Sequence, residues 1–188
     1  GKLVDKFPAR YVTMFGLAVF AFGAALLSGT DVNTAFWILA FFVVIGRLGQ
    51  SIMLPAINVS ALMALPPEQL NNGSGSINFI RLMGGAFGVN SLVVFMEQRM
   101  DFHAISFAAT QTANNDSSRE LLGLVSSTLH GGGVPDAVLQ AGALNFLGRI
   151  VEAQAQTMGF KDGFMIIAVV FILALIPAML LGRDRGRR

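Results

Sequence analysis

Four apolar stretches, roughly Tyr11–Ser28, Ala35–Ile57, Ile77–Met96 and Gly163–Leu181, govern what this chain can fold into. Each approaches the roughly 20 residues that carry a helix across about 30 Å of hydrocarbon, where backbone polar groups must be satisfied internally. No sustained two-residue alternation marks a barrel strand. The predicted fold is therefore an all-α membrane protein with four transmembrane helices. Composition agrees: 54% of residues are hydrophobic and 13% charged, against about 45–50% and about 25% in soluble domains. Two of the spans are interrupted by polar or charged residues. Arg47 lies about twelve residues into the second, roughly 18 Å along at 1.5 Å per residue, too deep to snorkel comfortably to either surface. A cation there costs several kcal/mol unless it faces protein, water or a counter-charge. A polar interior follows, which a plain anchor would not need.

Other chemistry is excluded by what the chain lacks. It has no cysteine, so disulfides, thiol catalysis and Cys-based zinc sites are ruled out. The net charge of +2 rests on few charges in total, so nucleic acid is not an expected partner. His103 and His130 are far apart and carry no ligand spacing, and no metal is expected. No Ser-His-Asp spacing, P-loop or dinucleotide fingerprint is present, so neither an enzyme nor a cofactor is predicted. The Gly131–Gly133 run follows no strand pattern and reads as a hinge or turn.

Charge distribution sets the expected topology. Lys2, Lys6 and Arg10 precede the first span, Arg183, Arg185, Arg187 and Arg188 follow the fourth, and Gly29–Thr34 has no Lys or Arg. The positive-inside rule then places both termini in the cytoplasm. Residues 1–10 form a cytoplasmic loop, 11–96 three membrane helices, 97–162 a long external segment, 163–182 the last membrane helix, and 183–188 a basic tail. Arg99, Arg119, Arg149 and Lys161 run against this assignment, but long loops count weakly in the rule. The opening at Gly1 on a loop-like run predicts a C-terminal portion of a longer protein.

The external segment has its own pattern. Thr110–Ser118 reads as a polar break. Ser117 with Glu120 matches a capping box, and Leu121, Leu122, Val125 and Leu129 fall on one helical face until the glycines stop it. Pro135 can start another helix, with Leu139, Leu144, Leu147, Ile150 and Val151 near helical spacing. These helices would lie on the membrane surface, cover the helix ends, or meet a partner.

Several local motifs occur in an order that resembles the C-terminal half of major facilitator superfamily transporters. The closest likeness is to the fourteen-helix drug:proton antiporter branch, the EmrB/QacA type. Gly1-Lys-Leu-Val-Asp5-Lys6-Phe-Pro-Ala-Arg10 resembles the superfamily's cytoplasmic loop motif, departing at Phe7-Pro8, where glycine is more usual. Gly46-Arg-Leu-Gly49-Gln-Ser-Ile-Met-Leu-Pro55 resembles the branch's glycine-rich stretch ending in proline, with Arg47 and Gln50 more polar than usual. Leu65-Pro-Pro-Glu68 and the run from Gly73 through Asn78, Arg81, Gly84 and Gly85 to Gly88 resemble its loop and penultimate helix. Ala153–Phe164 resembles the approach to its last helix.

This resemblance implies that the four helices end the C-terminal six-helix bundle of a major facilitator fold, the rest lying in a missing N-terminal portion. It implies proton-driven efflux of hydrophobic or amphipathic drug-like compounds across the bacterial inner membrane. A periplasmic adaptor would complete the path in Gram-negative members. The family's proton-coupling carboxylates lie chiefly in the N-terminal half; here no span holds an internal Asp or Glu, except Glu97 at an outer edge.

Individual residues carry two readings each. Asp5, Lys6 and Arg10 form either a conformational latch at the cytoplasmic helix ends or an ordinary topogenic cluster. Arg47 is a cavity-facing cation meeting a carboxylate or anionic substrate group, or an interhelical structural arginine. Gln50 is three residues on and shares its face. Asn78 and Asn90 are further polar candidates in the third span. Gly46, Gly49 and Pro55 point to close packing and a bend, and Gly84 with Gly88 to a face that another helix can approach. Two other functions compete with the exporter: a non-transporting four-helix scaffold binding a partner through residues 97–162, and a small transporter that dimerises.

Overall fold

The computed structural model describes residues 8–63, 65–66, 70–112 and 114–180. Among these the chain is entirely helical: α1 (Ala9–Ser28), α2 (Phe36–Met63), α3 (Leu70–Thr110), α4 (Asp116–Gly131), α5 (Asp136–Leu173) and α6 (Leu175–Leu180). Four helical stretches are long and apolar enough to cross a membrane: Ala9–Ser28, Phe36–Met63, Gly73–Thr110 and Asp136–Leu180. The chain divides into two compact units, one made of residues up to Val93 with those from Lys161 onward, the other of Val94–Phe160.

In the first unit, α1 lies between α2 and the last span. Leu17, Met53 and Ala178 form its buried cluster, with Met14, Phe171, Ala174 and Leu175 around it. The Phe20 and Phe171 rings are 4.3 Å apart. Glycines bring α1 and α2 together. A Cβ added at Gly16 would fall 2.7 Å from Met53 Cβ, one at Gly23 2.8 Å from Gly46 N, and one at Gly49 2.5 Å from Phe20 N. These pairings run antiparallel, and the seam includes Ala56, which is fully buried. Small residues let two backbones approach in lipid, where no hydrophobic force drives helices together. The turn between the two helices is self-contained: Asp31 Oδ1 accepts from Asn33 N at 2.9 Å, and Thr34 Oγ1 accepts from Asp31 N at 2.9 Å.

Helix ends depart from the sequence expectation in three places. The third span, expected to stop near Met96, continues to Thr110; between those residues stands no Pro or Gly to break it. The last span, expected to begin near Gly163, is continuous from Asp136. Conversely, a break separates α5 from α6 at Ala174. Pro177 explains it, because its ring opposes the carbonyl of residue 173 and it has no N–H to donate there. Pro55, by contrast, sits inside the continuous α2.

In the second unit, small residues again mark the close approaches. Ala143 and Ala155 are buried, and a Cβ at Gly159 would meet Met100 of α3. The break expected at Thr110–Ser118 occurs, and the glycine stop occurs after α4, with Gly133 at φ +82°. The α4 cap is a correction: Asn115, not Ser117 with Glu120, caps the helix. Its Oδ1 accepts from Ser118 N at 3.2 Å while its Nδ2 donates to Thr110 O at 2.9 Å. An asparagine amide both accepts and donates, so one side chain ties the start of α4 to the end of α3, which a serine hydroxyl two residues later would not do. Asn115→Ala is expected to cost about 1 kcal/mol and to raise amide exchange in the first turn of α4. Unchanged exchange there would remove the cap from the account.

Candidate functional site

Because α1 and α2 are joined along Gly46, Gly49, Met53 and Ala56, the remaining faces of α2 point elsewhere. Arg47 is one residue, about 100° of helix, from Gly46, and it is exposed. Its Nη1 donates to Gln50 Oε1 at 3.1 Å. The two residues linked by their shared face in sequence are thus in contact. Gln50 is half-buried and neutral, so it orients the guanidinium without cancelling its charge. The sequence of α1, of α2 and of residues 70–96 and 163–180 contains no Asp or Glu. Arg47 therefore has no counter-charge within these membrane segments.

A second polar feature lies where α2 ends and α3 begins. Asn58, Leu62, Ser74, Ile77, Asn78 and Arg81 line a cleft of about 280 Å³. Arg81 Nη2 donates to Asn78 Oδ1 at 2.6 Å. Asn78, a predicted candidate, thus joins Arg81 rather than the Arg47–Gln50 pair. Asn90 is exposed and donates to its own helix, Nδ2 to Ala86 O at 2.7 Å; its amide N–H₂ is already used locally.

Asp5 and Lys6 of the predicted latch lie outside the described residues. Arg10 is described: its guanidinium carbon sits 5.4 Å from the Tyr11 ring centroid, and its buried Nε has no hydrogen-bond partner among the described residues. Among the described residues, none brings a side chain or another helix within 4 Å of a Cβ built at Gly84 or Gly88. In the second unit, Phe107, Gln111, Ser118, Leu121, Ile150 and Gln154 border a cleft of about 290 Å³, across which Ser118 Oγ donates to Gln111 Oε1. His130 Nδ1 and Asp136 Oδ1 are 3.0 Å apart across the glycine turn.

Sequence reasoning missed Gly16, Gly23 and Asn58. Gly16 and Gly23 are seven residues apart, about two helical turns on one face, and that spacing was a readable signal for the seam. Asn58 gave none, since its role depends on α3 standing beside it.

No protein-family model and no solved structure matches the chain. Two proteins are similar to it almost from end to end. The multidrug transporter protein MdtP of Bacillus subtilis is 29% identical over 203 aligned positions, covering 96% of this chain and 36% of that protein. The colistin resistance protein EmrB of Acinetobacter baumannii is 23% identical over 187 positions, covering 99% of this chain and 35% of that protein. The chain thus spans about a third of the length of these relatives. At this level of similarity the two homologies ally the chain with a drug-transporter family.

Proposed function

We propose that this chain is the closing part of a proton-coupled multidrug exporter of the major facilitator type. It would occupy the bacterial inner membrane with both termini cytoplasmic and export hydrophobic or amphipathic compounds by alternating access. The observation that carries the reading is the Arg47–Gln50 pair, a fixed guanidinium in mid-helix turned away from the glycine seam. The similarity to MdtP and EmrB along nearly the whole of this chain supports it. In this scheme α1 and α2 move as one body along their glycine contacts. Arg47 faces the central cavity, where a carboxylate of the N-terminal half or an anionic substrate group offsets its charge. The proton-carrying carboxylates come from that same half. Residues 97–162 stand on the external side, in reach of an adaptor.

Cells expressing the full-length protein, loaded with two chemically different dyes, test the function. Efflux that collapses when a protonophore dissipates the gradient is the expected result. Absence of efflux with protein present in the membrane would favour the scaffold, and efflux indifferent to the protonophore would refute proton coupling. Topology is tested separately. A cysteine in place of Asn114, in this otherwise cysteine-free stretch, should react with a membrane-impermeant maleimide in intact cells. Labelling only after the cells are opened would reverse the orientation.

A further inference from the structure

Two buried polar atoms near the start of α1 stand without a hydrogen bond among the described residues: Oγ1 of Thr13 and Nε of Arg10. Thr13 is only 2% exposed. Buried polar groups are almost always paired, with protein or with an ordered water. A helical hydroxyl usually meets this need on a carbonyl of the preceding turn. Ser28, Ser51, Ser60 and Thr157 do so at 2.8–2.9 Å. Thr13 does not.

The seam limits what can reach it. Gly16 meets Met53 and Gly23 meets Gly46, and the same antiparallel register sets Thr13 at the level of Ala56, which is fully buried. Ala56 offers no polar side chain, and Ser60, one turn further on, spends its Oγ on Ala56 O. Arg10 lies three residues before Thr13 on the same face of α1, a spacing that sets Cβ atoms about 5–6 Å apart. Its Nε can only donate, whereas a hydroxyl both donates and accepts. Water is the smallest molecule that can take a hydrogen bond from the first and share one with the second, and the close seam favours the smallest.

We propose that one buried water bridges Arg10 Nε and Thr13 Oγ1, which makes Thr13 a positioning residue for Arg10. With its carbon 5.4 Å from the Tyr11 ring centroid, the guanidinium is then held from two sides. That fixes the direction in which its terminal nitrogens point.

Melting of the purified full-length protein in detergent tests the bridge, because the alternatives differ in sign. Thr13→Val keeps the branched shape and removes the hydroxyl. With the bridge it should lower the melting temperature, since it takes a partner from the water and from Nε, and Thr13→Ser should keep most of the stability. Without the bridge, Thr13→Val only deletes an unmet buried hydroxyl. An unchanged or raised melting temperature would therefore overturn the proposal. Arg10→Met removes the donor, and in that background Thr13→Val should cost clearly less than in the wild type. Equal losses in both backgrounds would also overturn it. Should these variants fail to fold, a cryo-EM map of the wild type that resolves ordered waters decides. A peak within hydrogen-bond distance of both atoms is expected, and a direct Nε–Oγ1 bond or a side chain in that place would refute the water.

Discussion

Arg47→Ala in the full-length protein should abolish or redirect drug efflux while leaving its abundance in the membrane unchanged. The reasoning starts from cost. A guanidinium in mid-span is tolerated only where it meets protein, water or a counter-charge, and among the described residues its hydrogen-bond partner is the neutral Gln50. In a cavity-facing setting the charge is used on an anionic or acidic group, and hydrogen bonds to charged groups are worth about 1.5–3 kcal/mol, roughly ten- to hundredfold in transport. Arg47→Lys should recover only part, because an ammonium keeps the charge but loses the planar fork. Gln50→Leu should weaken efflux less than Arg47→Ala, since it removes the group that orients the cation rather than the cation. Were Arg47 instead an interhelical tie, its loss would strand acceptors at about 1–3 kcal/mol each, and abundance would fall in step with export. Measuring abundance beside efflux of two dyes separates the cases. Normal efflux at normal abundance defeats both.

The apolar runs made the membrane helices legible because helix length and hydrocarbon thickness are tied by a fixed rise per residue. Their ends were less so. Hydropathy falls after Met96, yet nothing chemical stops a helix there, and α3 runs on to Thr110. The α4 cap had two local candidates, and Asn115 prevails because its amide also reaches back to Thr110 O, a contact that depends on where the preceding helix ends. Of the site, the Arg47–Gln50 pairing was readable, since residues three apart share a helix face. The Arg81 cleft was not, because it needs Asn58 from one helix and Ser74 and Asn78 from the next, a juxtaposition that no periodicity within a single helix encodes. The same holds for the seam. Gly46 and Gly49 stood out as glycines, but which of them has no room for a side chain against α1 depends on the register between two helices.

That register makes opposite predictions for the two glycines. At Gly49 an added Cβ falls 2.5 Å from Phe20 N, 2.8 Å from Gly16 O and 2.9 Å from Phe20 Cα. All three are backbone atoms of α1, so no side chain can rotate aside, and the two helices would have to separate. Separation also loosens Gly23 from Gly46 and Gly16 from Met53, the other close points of the seam. Since close packing rather than water exclusion holds helices together in lipid, little compensates, and overpacking of this kind costs about 1–3 kcal/mol or more. At Gly46 no atom of the described residues lies within 4 Å of an added Cβ, and replacing a mid-helix glycine by alanine favours the helix by about 0.5–1 kcal/mol. Gly49→Ala should therefore lower both the folded yield of the full-length protein and its melting temperature in detergent, and Gly49→Leu should leave almost no folded protein. Gly46→Ala should match the wild type or exceed it. Equal tolerance of alanine at both positions would mean that the α1–α2 seam is not built on Gly49. A loss confined to Gly46 would place a further helix of the full-length protein against that face.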